Sequence, residues 1–217
     1  MKHITNKYSI LYFLISLLSL FFIDNEAILE LVLKLLSLTF LSFLYLSTSK
    51  KINYWYVLVL LSSIASDTSL IFDSDLLVVG TVLLIVNRIL YIIISRRALY
   101  RTNLKTLTFY FVICLLVFVV IYILLKPYLQ EISYIFISLG ITSAIMILFA
   151  FLNYLNKMNT KNKLFLFGLF LIITGDILMA FNKFLDYRMA YVITYSIIYY
   201  VARYLICESM IVNKLKK

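Results

Sequence analysis

Apolar runs of about 18 or more residues recur along almost the whole chain, and each is long enough to cross roughly 30 Å of hydrocarbon as a helix. Backbone groups find no water at that depth, so only helices and closed β-barrels can span it. The runs are continuous and not alternating, which favours helices over strands. Hydrophobic residues make up 64% of the 217 positions, well above the roughly 45–50% of a soluble domain. The sequence therefore predicts an all-α polytopic membrane protein.

Eight transmembrane helices are predicted, and together they form one domain over residues 1–217: 8–23, 27–47, 54–72, 75–95, 106–125, 128–151, 163–181 and 189–211. Four spans precede residue 100 and four follow it, and each half carries an aspartate on its third span. Because four is an even number, the two halves would lie parallel, as the parallel repeats of some transporters do. The sequence thus allows an internal duplication into two parallel four-helix halves.

The net charge of +10 comes largely from cations in short loops, which are typical topology determinants and do not indicate a nucleic-acid partner. The opposite loops carry most of the acidic residues. By the positive-inside rule, both termini are expected in the cytoplasm, which requires an even number of spans. The composition indicates a bacterial source and hence the cytoplasmic membrane. The cations assigned to the cytoplasmic side are Lys2, Lys7, Lys50, Lys51, Arg96, Arg97, Arg101, Lys105, Lys157, Lys161, Lys163, Lys214, Lys216 and Lys217.

Cysteine and histidine are too few and too scattered to indicate a metal centre or a disulfide framework. The two cysteines, Cys114 and Cys207, lie inside apolar helices without a motif spacing, and the single histidine is His3. We therefore expect two small core thiols, no metal and no cofactor.

Two carboxylates lie inside the apolar runs, Asp67 in the third span and Asp176 in the seventh. A charged side chain at bilayer depth costs roughly 2.5–3.5 kcal/mol on insertion scales, so it is expected to be paired, protonated or facing a polar cavity. Each aspartate lies about 20 Å from the cytoplasmic start of its span, at a rise of about 1.5 Å per residue. The two carboxylates are therefore expected at one level, in the outer half of the membrane.

Three cations fall in the same slab of the membrane: Lys34, Arg88 and Arg203. Both arginine side chains are expected to extend toward the aspartate layer, and Lys34 shares a helix face with Glu30 at i,i+4 spacing. Two interpretations stay open, namely ion pairs that only fix helix packing and a polar cavity that opens outward and handles a charged or polar substrate. The number of charges at one depth favours the cavity.

Polar and aromatic residues surround these charges on the fourth and eighth spans. Tyr91 shares a helix face with Arg88, and Tyr199 shares one with Arg203, although any one tyrosine is more often a packing or interfacial residue. The predicted catalytic residues are Asp67 and Asp176, and the predicted substrate-binding residues are Lys34, Asn87, Arg88, Tyr91, Tyr195, Tyr199 and Arg203.

Several short motifs resemble those of the YhhN-like family, which includes the lysoplasmalogenases. Residues 174–178 read TGDIL and are followed by TYSIIYYVARYLI at 194–206, and residues 63–67 read SIASD and are followed by NRILY at 87–91. Lys34 matches a Lys-Pro-Leu segment of the family, without its proline. The resemblance spans most of residues 30–210. It departs at Ser66, where the family usually has glycine, at Arg88, where histidine is common, and at Arg203, where glutamine is common.

The resemblance implies hydrolysis of the vinyl-ether bond of a lysoplasmalogen to a fatty aldehyde and a glycerophospho-head-group. One carboxyl would act as a neutral acid and the other as a base or electrostatic stabiliser, because two close carboxyls in low dielectric do not both ionise easily. The implied partners are a lipid or lysophospholipid and the bilayer, and Lys34, Arg88 or Arg203 would hold the phosphate. Neither cofactor nor metal is implied. The two added arginines could keep the cavity yet alter the substrate or abolish catalysis.

Two other functions stay open at this stage. Intramembrane Asp and Arg residues also suit a proton-coupled transporter, although four glycines and one proline leave few places for the broken helices of such carriers. A catalytically silent sensor or assembly protein on the same fold is slightly favoured by the arginine substitutions. The sequence leaves the lipid, its head group, the acid and base assignment and the oligomeric state open.

Overall fold

The computed structural model describes residues 7–23, 26–49, 52–72, 76–96, 104–129 and 132–212. Its eight helices confirm the predicted all-α class: α1 (Lys7–Leu20), α2 (Ala27–Thr48), α3 (Tyr54–Phe72), α4 (Leu77–Ser95), α5 (Leu104–Leu129), α6 (Ser133–Asn156), α7 (Thr160–Phe184) and α8 (Met189–Val212). Over the described residues, six of these, α2 and α4 to α8, are long and apolar enough to cross a membrane. The remaining two are α1, a shorter apolar helix, and α3, whose second half carries serines, a threonine and Asp67.

Much of the charge pattern that predicts the topology lies outside the described residues. The location of both termini therefore stays a prediction from the sequence. The loop charges in question are Lys2, Asp24, Lys50, Lys51, Asp73, Asp75, Arg97, Arg101, Glu131, Lys214, Lys216 and Lys217.

The predicted boundary between the fifth and sixth spans is wrong. Helix α5 continues through Pro127 to Leu129, and α6 accordingly begins at Ser133 and ends at Asn156. A proline removes one backbone hydrogen bond, but Leu125 and Leu129 on either side are buried and hold this last turn in place. Helix α7 begins earlier than predicted because the Asn159 side chain accepts a hydrogen bond from the backbone N–H of Asn162 at 2.8 Å and caps the helix.

Helices α7 and α8 form the most extensive helix pair, and a glycine allows their close approach. A Cβ atom at Gly168 would lie 2.5 Å from Ile206 Cγ1 and 3.0 Å from the carbonyl oxygen of Ala202. Small residues at such crossings let helix backbones approach closely inside a membrane. The α7–α8 pair therefore provides a rigid base on which the charged residues nearer the middle of both helices are held.

The hydrophobic core fills the end of the bundle that contains the α2–α3 and α6–α7 connections. Buried residues there come from seven of the eight helices, and the Tyr12 hydroxyl donates a hydrogen bond to the Tyr200 carbonyl oxygen at 2.7 Å. The other half of the bundle, as far as the structure describes it, contains a polar and an apolar cavity. Helix α5 lies at the periphery, with an exposed apolar face suited to lipid, at Phe109, Leu116, Val120 and Ile123.

Candidate functional site

Each intramembrane aspartate pairs with an arginine from the opposite half of the chain. Asp67 on α3 accepts two hydrogen bonds from Arg203 on α8, at 2.7 and 2.8 Å, in a bidentate ion pair. Asp176 on α7 pairs with Arg88 on α4. The two ion pairs therefore follow one rule. In each pair the third helix of one half supplies the carboxylate, and the fourth helix of the other half supplies the guanidinium. Such charge-assisted pairs keep all four charges compensated inside the membrane.

Tyr199 connects the two ion pairs. Its hydroxyl donates a hydrogen bond to Asp176 Oδ1 at 2.6 Å, and its ring centroid lies 5.8 Å from Arg203 Cζ, within cation–π range. Arg203 in turn holds Asp67. A continuous series of contacts therefore runs from Arg88 through Asp176, Tyr199 and Arg203 to Asp67.

The Tyr199 ring explains why a glycine stands at position 175, next to Asp176 in the Gly-Asp motif. A Cβ atom at position 175 would lie 3.1 Å from Cε1 and Cζ of the Tyr199 ring. That distance is shorter than an ordinary van der Waals contact, so the ring would have to shift. The glycine thus lets the ring pack against α7 at the height where its hydroxyl reaches the neighbouring carboxylate.

The two close carboxyls that the acid–base scheme implies, Asp67 and Asp176, do not bond to each other among the described contacts. The hydrogen bonds of the two carboxyl groups go to Arg203 in one case and to Arg88 and Tyr199 in the other, and none among the described contacts joins one carboxyl to the other. The physical reason is the pair of arginines, since each guanidinium satisfies a carboxylate that would otherwise have to share a proton.

A polar chamber of about 410 Å³ lies beside Asp67, between α2, α3, α7 and α8. Lys34 lines it and forms an ion pair with Glu30 one turn away on α2. Buried Ser196 also lines it, and its Oγ has no hydrogen-bond partner among the described residues. The chamber thus presents two cations, two carboxylates and an unsatisfied hydroxyl to whatever enters. Its predicted site residues are Lys34, Asp67, Tyr195, Tyr199 and Arg203.

A second, apolar cavity of about 650 Å³ lies between α4, α5, α6 and α7, with Asp176 on its wall. Its lining is mostly aliphatic and aromatic. Four residues line both this cavity and the chamber and so form the wall between them: Leu84, Met179, Tyr187 and Tyr195. This cavity could not be predicted from the sequence, because hydrocarbon side chains that face a cavity are the same residue types as those that face lipid.

Three of the predicted substrate-binding residues lie in the protein interior and line neither cavity: Asn87, Arg88 and Tyr91. The Asn87 amide donates to Val59 O, Ser62 Oγ and Ser63 Oγ at 3.2, 3.0 and 2.8 Å, which ties α4 to α3. Arg88 is 2% exposed and faces Asp176, and the buried Tyr91 ring packs 6.1 Å from that of Phe165. In the part of the chain that the structure describes, no group of three or more His, Cys, Asp or Glu side chains is placed to hold a metal ion.

A comparison with protein families identifies the chain. The model of the YhhN family matches residues 29–210, which is most of the sequence and includes every residue of the two ion pairs. Curated proteins and solved structures gave no match.

Proposed function

Because this chain belongs to the YhhN family, and because six of its described helices are long and apolar enough to cross a membrane, we propose that it is an integral-membrane hydrolase of the lysoplasmalogenase type. It cleaves the vinyl-ether bond of a lysoplasmalogen and releases a fatty aldehyde and a glycerophospho-head-group. The observation that carries the proposal is the placement of its two intramembrane carboxylates, one at a polar chamber and one at an adjoining apolar cavity.

Vinyl-ether hydrolysis needs an acid and a base but no strong nucleophile. A carboxyl proton is transferred to the second alkenyl carbon, which leaves an oxocarbenium ion at the carbon that bears the ether oxygen. Water adds to that carbon and loses a proton to a base, giving a hemiacetal. The hemiacetal then collapses to the aldehyde and the glycerol hydroxyl. A carboxylate beside the oxocarbenium ion stabilises it electrostatically, and a carboxylic acid supplies the first proton.

The environments of the two carboxylates favour different roles. Arg88 is buried and reaches neither cavity, so Asp176 keeps its cation and its hydrogen bond from Tyr199 when substrate binds. Asp176 therefore suits the ionised stabiliser and base. Arg203 lines the chamber, where a substrate phosphate would compete with Asp67 for its guanidinium. A phosphate that takes the Arg203 guanidinium leaves the Asp67 carboxyl free of its bidentate partner and facing the chamber. Asp67 is therefore assigned as the acid.

In this scheme Lys34 and Arg203 bind the phosphate, and Tyr195 and Tyr199 line the space around it. Arg88 is a positioning residue for Asp176. Asn87 and Tyr91 hold α4 in place through their contacts with α3 and α7.

The test is aldehyde release from a 1-alkenyl lysophospholipid by purified protein, comparing wild type with Asp67→Asn and Asp176→Asn. The matched control is Glu26→Gln, which neutralises an exposed carboxylate just before α2. Glu26 makes no side-chain cap hydrogen bond and lines neither cavity. We expect wild type and Glu26→Gln to release aldehyde at equal rates, and the other two to lose at least 100-fold while remaining monodisperse in detergent.

A second candidate function follows from the arginines themselves. Each site carboxylate has a guanidinium partner, and a chain in which these pairs do not open would keep the fold without the chemistry. Wild-type protein that releases no aldehyde, while remaining folded, would favour this catalytically silent membrane protein over the hydrolase.

A further inference from the structure

The two cavities adjoin and differ sharply in character. The chamber carries Lys34, Asp67 and Arg203, whereas the larger cavity is lined mostly by apolar side chains of α4, α5, α6 and α7. The charged residues of that lining are Asp176, Lys183 and Asp186. The volume of the larger cavity, about 650 Å³, falls within the roughly 300–1,000 Å³ of small-molecule sites. A ligand that fills both must be apolar at one end and charged at the other.

Ser196 provides a second, independent pointer to a ligand. It is 3% exposed, it lines the chamber, and its Oγ has no hydrogen-bond partner among the described residues. A buried hydroxyl without a partner costs free energy, about 1–3 kcal/mol by mutational measures. A hydroxyl or phosphate oxygen of a bound amphiphile would satisfy it.

We propose that the apolar cavity binds the single hydrocarbon chain of a phosphate-bearing amphiphile whose head occupies the chamber beside Lys34, Ser196 and Arg203. This inference rests on the proposed function and adds the orientation of its substrate. The bond between chain and head then lies where the two cavities adjoin, with Asp176 in the lining of the apolar cavity and Asp67 in the lining of the chamber. In the described part of the chain, the chamber adjoins this apolar cavity of about 650 Å³. Because a single chain would occupy that cavity, we expect single-chain lipids to bind in preference to diacyl lipids.

The probe is a 1-alkyl lysophospholipid that carries a photoreactive diazirine near the methyl end of its chain. Its saturated ether has no vinyl group, so binding is measured without turnover. Full-length protein in nanodiscs is irradiated with the probe, and the labelled residues are mapped by mass spectrometry. The cavity-blocking variant is Ser143→Trp on α6, at a lining position. Its matched control is Ser138→Trp on the same helix, at an exposed position outside the cavity.

We expect labelling of the cavity lining, at partly buried residues such as Phe118, Ile147 and Ile173. Labelling should fall at least tenfold in Ser143→Trp, remain in Ser138→Trp, and be displaced by unlabelled single-chain lipid but not by diacyl lipid. If Ser143→Trp does not fold, the wild-type label map and the competition still decide. Labelling spread over the lipid-facing surface of α5, at Leu116 and Val120, or equal displacement by diacyl lipid, would overturn the proposal.

The failure of this proposal and the failure of the proposed function give different results. Labelled cavity residues without aldehyde release leave the chain-binding cavity standing and remove the hydrolase. Aldehyde release with label only on the lipid-facing surface leaves the hydrolase standing and removes the cavity as its chain-binding site.

Discussion

At the scale of single residues, Tyr199 is the side chain that contacts both ion pairs. Replacing it with Phe keeps the ring over Arg203 and removes the hydroxyl that donates to Asp176 at 2.6 Å. Because hydrogen bonds to charged groups contribute about 1.5–3 kcal/mol, we expect Tyr199→Phe to lower kcat about tenfold or more while KM changes little. The measurement is steady-state aldehyde release together with thermal unfolding in detergent.

The control for Tyr199 is Tyr134→Phe, at an exposed position on α6, which should leave both rate and melting temperature unchanged. A Tyr199→Phe enzyme with wild-type kcat would show that the hydroxyl has no part in positioning the carboxylate for reaction.

Arg203 differs from Arg88, the arginine of the other ion pair, because Arg203 lines the chamber whereas Arg88 lines neither cavity. Replacing Arg203 with Gln removes a cation of the chamber and leaves Asp67 without its bidentate partner. If Arg203 binds phosphate, KM for a 1-alkenyl lysophospholipid should rise about tenfold, equivalent to ~1.4 kcal/mol. KM for a 1-alkenyl glycerol without phosphate should stay within a factor of two or three.

Arg188→Gln, in the exposed α7–α8 loop, is the matched control and should change neither KM. Equal effects of Arg203→Gln on both substrates would assign Arg203 to the support of Asp67 alone. A rise in activity would identify the arginine as the group that holds this family member inactive.

At the scale of helices, substitutions at the two glycines of α7 that face α8 test helix packing and site geometry independently. At Gly168 a new Cβ would meet the side chain of Ile206 and the backbone of Ala202, so Gly168→Ala forces α7 and α8 apart. Overpacking of this kind costs about 1–3 kcal/mol, and we expect a lower melting temperature with nearly normal activity per folded molecule. At Gly175 the new Cβ meets the Tyr199 ring instead, so Gly175→Ala should lower kcat more than the melting temperature.

Aldehyde release and thermal unfolding, measured side by side on the two alanine variants, check this separation. The opposite pattern, with activity lost at Gly168 and stability lost at Gly175, would contradict the assignment of the second glycine to Tyr199. The two positions are seven residues apart, about two helical turns, so they share a face of α7 and serve as controls for each other.

At the scale of the whole molecule, the sequence predicts the eight helices and arginine side chains that extend toward the aspartates, but not which arginine meets which aspartate. The rise per residue places each charge along its own helix, and hydrophobic length indicates the helix count. Which arginine meets which aspartate depends on how the helices are arranged around one another, and a single sequence does not contain that information in its periodicity. The apolar cavity could not be predicted for a similar reason, since a phenylalanine or isoleucine such as Phe118 or Ile173 is equally common on a surface that faces lipid. The end of α5 was mispredicted because buried Leu125 and Leu129 outweigh Pro127.

The topology prediction concerns the whole chain, and α1 and α3 are the two helices outside the six that meet the membrane-spanning criterion. The test is made on α3, because this helix carries Asp67. If α3 crosses the membrane, Tyr54 at its start, 77% exposed, and Leu76 after its end, 39% exposed, lie on opposite sides. We expect a membrane-impermeant maleimide to label Leu76→Cys in intact cells, and to label Tyr54→Cys only after permeabilisation, in a background without the native cysteines.

The reference pair is Met158→Cys and Tyr187→Cys, which flank the long apolar α7. In intact cells, Met158→Cys should be protected from the maleimide and Tyr187→Cys should be labelled. If Tyr54→Cys and Leu76→Cys label from the same side while the reference pair behaves as expected, α3 does not cross. The even number of spans that the positive-inside rule requires would then have to arise in another way.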